Sequence, residues 1–169
     1  MVESLSRRAL LRGRVKATVV VRPPFAIRES EFRQACDACG ECLPACPEQI
    51  IQTDEWGRPS LSFTDSGCTF CDACTQACDS HALSKNNPRP WPWTATLNKN
   101  CLNARGVSCR LCEEFCEARA LVFKPALGGR YDLTLNANDC TGCGACIAPC
   151  PTNAISILDE QSNLVEVSE

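Results

Sequence analysis

Cysteine is the residue type through which this chain could do chemistry, because sixteen of its 169 residues are cysteines. Their positions form four groups of four: Cys36, Cys39, Cys42 and Cys46; Cys68, Cys71, Cys74 and Cys78; Cys101, Cys109, Cys112 and Cys116; and Cys140, Cys143, Cys146 and Cys150. The first, second and fourth groups read C-x2-C-x2-C-x3-C, a spacing with which thiolates bind [4Fe-4S] clusters. Such clusters exchange single electrons, so the spacing predicts redox chemistry.

Two other uses of cysteine fit this pattern less well. An even number of cysteines in a short chain is typical of disulfide-linked proteins, and separated pairs are typical of structural zinc sites. Three closely spaced thiolates match neither arrangement, but they can bind three irons of one cube while the fourth cysteine reaches a neighbouring cube. The grouping in fours also leaves no cysteine over, which favours iron–sulfur clusters.

The third group departs from the pattern. Cys101 lies eight residues before Cys109, where the other groups have a step of three. The intervening segment, Leu102–Ser108, could loop out and return Cys101 to the cluster. Four clusters are expected in that case, and three if the third group is a degenerate repeat with free or zinc-bound thiols.

The cysteine groups lie in an internal repeat. From each fourth cysteine the chain reads CPEQII, CDSHAL, CEARAL and CPTNAI, and segments such as GRPSLSF and GRYDLTL indicate a second short strand. Proline follows the fourth cysteine in two groups, whereas Asp79 and Glu117 take its place in the other two. Each unit is too small to bury a core alone, so two clusters must fill each pair of units. The sequence therefore predicts an α+β fold of tandem two-cluster ferredoxin-like units, with small hairpins, short helices and a basic N-terminal arm.

The predicted organisation has five parts. They are a basic arm (1–34), a unit with the first two cysteine groups (35–84), a linker (85–95), a unit with the third and fourth groups (96–160) and a tail (161–169). Prolines in the linker block helix formation. Trp91 and Trp93 in this linker either shield a cluster from water or pack the seam between the units, and packing is favoured.

The spacing leaves two ways of pairing the units. If adjacent units pair, the fourth cysteine of each serves its partner. The ligand sets are then Cys36, Cys39 and Cys42 with Cys78; Cys68, Cys71 and Cys74 with Cys46; Cys101, Cys109 and Cys112 with Cys150; and Cys140, Cys143 and Cys146 with Cys116. In the alternative, the second and third groups pair inside the first and fourth. Similar repeat lengths favour adjacent pairing.

The N-terminal stretch SRRALLRGR, Ser6–Arg14, looks like the start of a twin-arginine export signal. A signal needs an uninterrupted apolar stretch of about 7–15 residues and a small-residue cleavage site. Arg12, Arg14 and Lys16 interrupt this segment, and no run near 20 apolar residues exists to span a membrane. We therefore expect a cytoplasmic protein without a transmembrane segment.

Charge is unevenly distributed along the chain. Residues 1–34 carry eight basic and three acidic side chains, whereas the remainder carries nine basic and seventeen acidic ones. The basic arm either folds back on the acidic body or docks a partner protein, with Arg7 and Arg8 as the candidate contacts. An acidic body without a base-reading motif argues against nucleic acid, while peripheral contact with a membrane stays open.

Three features together carry a family resemblance. SRRALLRGR, the segment RPPF at Arg22–Phe25, and four cysteine groups with a widened third resemble the NapF family of ferredoxin-type proteins from bacterial periplasmic nitrate reductase systems. The resemblance covers nearly the whole chain. It implies a cytoplasmic accessory protein that binds the precursor of NapA, the catalytic subunit, and assists its maturation before export. This help would be electron transfer or assistance with the [4Fe-4S] cluster of NapA.

The residues themselves support electron transfer rather than catalysis. His81 is the only histidine, and it is expected to be an exposed turn residue because every cube already has four cysteines. We therefore expect a non-enzymatic protein that receives electrons from a redox donor. The alternatives are a general electron carrier or a redox subunit of a membrane-linked oxidoreductase complex, and a scaffold whose clusters only maintain the fold.

Overall fold

The structure of the chain is a computed structural model that describes residues 20–86 and 91–159. Its α-helices are α1 (Glu29–Ala35), α2 (Cys42–Ala45), α3 (Ala73–Gln76) and α4 (Leu111–Glu114), with a 3₁₀ helix at Asn103–Arg105. Its strands are β1 (Ile51–Thr53), β2 (Pro59–Leu61), β3 (Trp93–Leu97), β4 (Leu121–Pro125), β5 (Tyr131–Leu135) and β6 (Ile155–Asp159). These short elements confirm the predicted α+β class, and in the described part of the chain no helix has the length and apolar character needed to cross a membrane.

The described strands form three antiparallel pairs. β1 pairs with β2 in the first half and β4 pairs with β5 in the second, which are the hairpins that the repeat predicts. β3 pairs with β6 over its whole length, from Trp93 opposite Asp159 to Leu97 opposite Ile155. The first and last strands of the second half therefore close it into one unit, and the end of the predicted linker, from Trp93, already belongs to this unit.

The segment Val21–Ile27, which contains a turn at Pro24–Phe25, closes the first half in a similar way. Ala26 forms an antiparallel bridge with Leu83, close to the end of the first half. Residues 20–34, which the sequence analysis assigns to the basic arm, thus include a segment that pairs with the first unit. In the structure this unit begins before residue 35, because pairing between its two ends requires the earlier segment.

Arg22 anchors this segment through a buried ion-pair network. Its guanidinium donates two hydrogen bonds of 2.9 Å to the Glu29 carboxylate and one of 2.8 Å to the carbonyl oxygen of Pro59. A third group, the Asp54 carboxylate, lies 2.8 Å away, and the guanidinium also stacks over the Phe32 ring. Burial alone would lower the pKa of Arg22, but hydrogen bonds and charges from Glu29 and Asp54 raise it.

Replacement of the buried arginine, Arg22→Met, is expected to lower the free energy of unfolding by about 3–5 kcal/mol, because it leaves a buried charge without its partner. That charge belongs to Asp54, whose side chain is 5% exposed. Arg33→Met is the matched control, since Arg33 pairs with the same Glu29 but is 49% exposed and should contribute about 1 kcal/mol or less. Anaerobic denaturant titrations followed by circular dichroism measure both variants. Equal losses would contradict a special role for the buried network.

The apolar core consists of two clusters, and cysteines line both of them. One is centred on Phe32, Cys42, Ile51, Ala82 and Leu83. The other contains Ile50, Phe63, Ala95, Leu121, Cys146, Ile155 and Ile157, and so draws residues from both halves of the chain. Because thiols and aliphatic side chains share these clusters, groups bound by the cysteines would form part of the core.

Candidate iron–sulfur sites

All sixteen cysteines lie in the described residues, and no two of them form a disulfide bond. In the first, second and fourth groups, the residues directly before and after the second cysteine have positive φ. They are Ala38 and Gly40, Phe70 and Asp72, and Gly142 and Gly144. Left-handed backbone is unfavourable for residues other than glycine, so a shared conformation at these positions indicates a common structural requirement. These three loops therefore have the same backbone turns around their cysteines.

The third group has a different loop. In the described chain, its last three cysteines enclose no residue with positive φ, and the left-handed residue lies earlier, at Gly106. The N–H of Val107 donates to the carbonyl oxygen of Leu102 at 2.9 Å, which makes the insertion a compact turn. Burial, together with the nearby thiol of Cys101, raises the pKa of Cys112 to about 11. The insertion thus returns Cys101 to its group, as the looped-out arrangement requires.

One turn recurs after the fourth cysteine of every group. The third residue after that cysteine has positive φ in all four cases: Gln49, His81, Arg119 and Asn153. Its N–H donates to the carbonyl oxygen of the fourth cysteine, at distances of 2.9–3.3 Å. The repeat therefore includes the third group, and His81 is an exposed turn residue, which confirms that prediction.

The neighbours of the third cysteine in each group show which thiols come together. The thiols that act on it electrostatically are Cys36, Cys39 and Cys78 for Cys42; Cys68, Cys42, Cys46 and Cys71 for Cys74; Cys101, Cys109 and Cys150 for Cys112; and Cys143, Cys140, Cys112 and Cys116 for Cys146. Each set includes the fourth cysteine of the adjacent unit. The arrangement corresponds to adjacent rather than nested pairing.

Burial strongly affects the pKa values of these third cysteines. Desolvation, ahead of the charges of neighbouring thiols, raises the pKa to about 11 for Cys42 and to about 12 for Cys74 and Cys146. A thiolate in such a place is unfavourable without a nearby positive charge. Iron stabilises the thiolate form, because metal binding displaces the thiol proton. The buried donors therefore fit a positively charged iron–sulfur core.

Backbone amides provide further contacts to the cysteine sulfurs. The N–H groups of Ala120 and Ala154 each donate to the Sγ of a fourth cysteine, Cys116 and Cys150, at 3.2 Å. Although burial would raise the pKa of Cys150, hydrogen bonds from Ala154 and nearby backbone lower it. Such donors stabilise negative charge on a cluster ligand and are one way in which a protein sets a reduction potential.

The ligands of a single metal ion would converge on one point. Within residues 20–86 and 91–159, no three cysteine, histidine, aspartate or glutamate side chains converge as the ligands of one ion would. A cube offers a separate iron to each thiolate, so its four ligands stand farther apart than those of tetrahedral zinc.

Two further predictions from the sequence concern the arginine pair of the N-terminal arm and the tryptophans of the linker. Arg7 and Arg8 lie outside the described residues, so their docking role stays a prediction.

Trp91 lies at the seam: its ring meets Phe70 edge to face, with centroids 5.9 Å apart, and its indole packs on Gly142. The packing interpretation of this tryptophan is confirmed. The glycines of the fourth group were not among the predicted functional residues, although the stretch CTGCGAC was a signal for them.

The fold and the cysteine loops define a ferredoxin-type iron–sulfur protein. The chain matches a family model described as a 4Fe-4S dicluster domain, over residues 35–82 and again over residues 106–154. Two dicluster domains account for the predicted cofactors, multiple [4Fe-4S] clusters. Cys101 lies before the second match, so its role as a ligand stays a prediction.

Comparison with known proteins narrows this class. The ferredoxin-type protein NapF of Escherichia coli K12 is 42% identical to the chain, over 89% of the chain and 93% of the relative. NapF of Haemophilus influenzae is 34% identical, over 96% of the chain and 98% of the relative. The chain belongs to the NapF family of ferredoxin-type, electron-transfer iron–sulfur proteins. The methylamine utilization ferredoxin-type protein MauM of Methylobacillus flagellatus is also 34% identical, over 97% of the chain and 79% of the relative.

Proposed function

We propose that the chain is a cytoplasmic accessory protein that binds the precursor of the periplasmic nitrate reductase catalytic subunit NapA and assists its maturation before export. The observation that supports this role is the similarity to NapF of Escherichia coli, which is 42% identical over 89% of the chain. In this proposal the chain delivers electrons or helps with the [4Fe-4S] cluster of its partner. It has no catalytic residues of its own and takes electrons from a redox donor.

Four ligand sets would hold the clusters, and each is named after the group that supplies three of its cysteines. Site 1 is Cys36, Cys39, Cys42 and Cys78; site 2 is Cys68, Cys71, Cys74 and Cys46; site 3 is Cys101, Cys109, Cys112 and Cys150; and site 4 is Cys140, Cys143, Cys146 and Cys116. When bound, the clusters supply reversible one-electron chemistry.

The chain's own residues would tune and protect these sites. Buried aliphatic side chains such as Leu83 and Leu121 exclude water from the thiols, and backbone N–H groups donate to the sulfurs. Both effects contribute to the reduction potential. Cys39 and Cys71 are exposed, so sites 1 and 2 each have one ligand at the surface, where a redox partner can approach.

Binding of the NapA precursor tests the proposed partner and the arm together. Replacement of the arginine pair, Arg7→Gln with Arg8→Gln, is expected to weaken anaerobic co-purification with the precursor about tenfold or more, which corresponds to about 1.4 kcal/mol or more. The matched control is Arg12→Gln with Arg14→Gln, which removes the same charge from the same arm. Equal weakening by both variants would show general attraction to the arm's charge, and unchanged binding in the first would remove its docking role.

The second candidate function is general electron carriage to a membrane-linked oxidoreductase complex. The similarity to MauM favours it, because a ferredoxin-type protein outside the NapF family is 34% identical over 97% of the chain. A variant that disrupts site 2, Cys71→Ala, separates the two functions in cells. Fully assembled NapA combined with failed electron flow would support the carrier, whereas unassembled NapA would support the accessory role. A pure scaffold predicts that dithionite does not reversibly reduce the purified protein.

A further inference from the structure

The loops of the second and fourth cysteine groups touch each other across the seam between the two halves. The N–H of Cys68 donates to the carbonyl oxygen of Cys143 at 2.7 Å. Beside this bond, a Cβ added to Gly67 would lie 2.7 Å from the backbone nitrogen and Cα of Ala145. Backbone atoms cannot move aside as a flexible side chain can, so the close approach of the two loops requires glycine at position 67.

One further glycine on the fourth loop lies at a contact with the first half. A Cβ on Gly144 would overlap the ring of Phe63, a buried residue of the first half. Gly40 holds the position in the first group that Gly144 holds in the fourth, and a Cβ there would have no neighbour within 4 Å. The backbone contact between cysteine loops therefore joins the second and fourth groups, whereas Gly40 of the first group has no such neighbour.

Contacts within each half show which cluster sites are neighbours there. In one apolar cluster, Cys74 and Cys78 of the second group pack with Cys42 of the first. In the other, Cys112 and Cys116 of the third group pack with Cys146 of the fourth. Sites 1 and 2 are therefore neighbours, as are sites 3 and 4.

We propose that the four cluster sites stand in the spatial order 1, 2, 4, 3, and that Gly67 is the positioning residue for the central contact between sites 2 and 4. This order rests on the ligand sets of the proposed function. It differs from the order of the groups along the chain, in which the second is followed by the third. Sites 1 and 3 then lie at the two ends of the series.

Two variants that each keep one cluster site in each half test the spatial order of the sites. With one cluster per half, magnetic coupling between two clusters of the same half cannot contribute to the spectrum. Cys39→Ala with Cys109→Ala keeps sites 2 and 4, and Cys71→Ala with Cys109→Ala keeps sites 1 and 4. Both should retain about eight irons. After reduction by dithionite, electron paramagnetic resonance should show magnetic splitting between clusters in the first variant and two isolated signals in the second, because dipolar coupling falls steeply with distance.

The outcomes separate the order from the ligand sets. Iron contents clearly different from about eight would contradict the ligand sets, whereas correct iron contents with equal spectra, or with splitting only in the second variant, would overturn the order. Adding Gly67→Val to the first variant should remove the splitting and keep the iron.

A measurement on the full four-site protein covers the case in which the two-site variants do not fold. Gly67→Val is compared there with Gly129→Asn, a hairpin position with φ of +72° and no neighbour within 4 Å of an added Cβ. Narrowing of the reduced spectrum in Gly67→Val alone, with iron content unchanged, is the expected result. An unchanged spectrum in Gly67→Val would overturn the proposal.

Discussion

Removal of iron from the protein under anaerobic conditions is expected to unfold it. Each described sheet has only two strands, and two-stranded sheets are marginal on their own in water. The two apolar clusters are lined by cysteines, so the loss of the clusters would open the core and leave thiols such as Cys146 without their partner. Because the sites form only in the folded chain, metal binding and folding are coupled. Far-ultraviolet circular dichroism during chelation measures the change.

A control with thiol reductant and no chelator distinguishes the metal from disulfide bonds. No disulfide bond joins the sixteen cysteines in the structure, so reductant alone should leave both the spectrum and the visible absorbance of the clusters unchanged. Adding iron and sulfide back to the chelated protein should restore the folded spectrum. Circular dichroism that persists after complete iron removal would contradict the coupling of metal binding to folding.

Replacement of the distant third-group cysteine, Cys101→Ala, is expected to remove one whole cluster. The protein should contain about sixteen irons before the change and about twelve after it, with a parallel loss of acid-labile sulfide. The reason is that the insertion folds into a turn and returns Cys101 to the thiol of Cys112. Iron and sulfide analysis of anaerobically purified protein measures the loss.

Two further variants calibrate this result. Ser108→Ala changes the same insertion without removing a thiol and should retain about sixteen irons, whereas Cys146→Ala removes a buried cysteine of the fourth group and should lose about four. If Cys101→Ala retains the full iron content, Cys101 is not a ligand. A parent protein with only about twelve irons would mean that the third group holds no cluster.

Much of the fold class followed from local sequence patterns. The three-residue steps between cysteines describe a loop that closes over a few residues, so they indicate the same geometry wherever the loop lies in the fold. Segments such as GRYDLTL likewise predict β5 and its hairpin with β4, because turn residues and short strands are local. Trp91 was predicted to pack the seam from its place in a proline-rich linker, and its contact with Phe70 confirms this.

Long-range pairing was beyond these patterns. Residues 20–34 were predicted to be part of a charged arm, because residues 1–34 carry eight basic side chains. This composition does not indicate that a segment within it pairs with Leu83. The buried position of Arg22 depends on Asp54 and Pro59, which lie more than thirty residues away. Composition and residue spacing do not predict such partners, since a single sequence does not distinguish a buried arginine from a solvated one.

By itself, therefore, the sequence determined the kind of ligand, its grouping in fours and the class of cluster, because cluster binding needs thiols at short and regular intervals. Only the tertiary structure decided which cysteine loops touch each other. That outcome depends on whether two backbones can approach each other, and Gly67 against Ala145 permits this approach between the second and fourth groups. A glycine in a sequence indicates that another backbone can approach closely at that position. Only the tertiary packing shows which backbone does so.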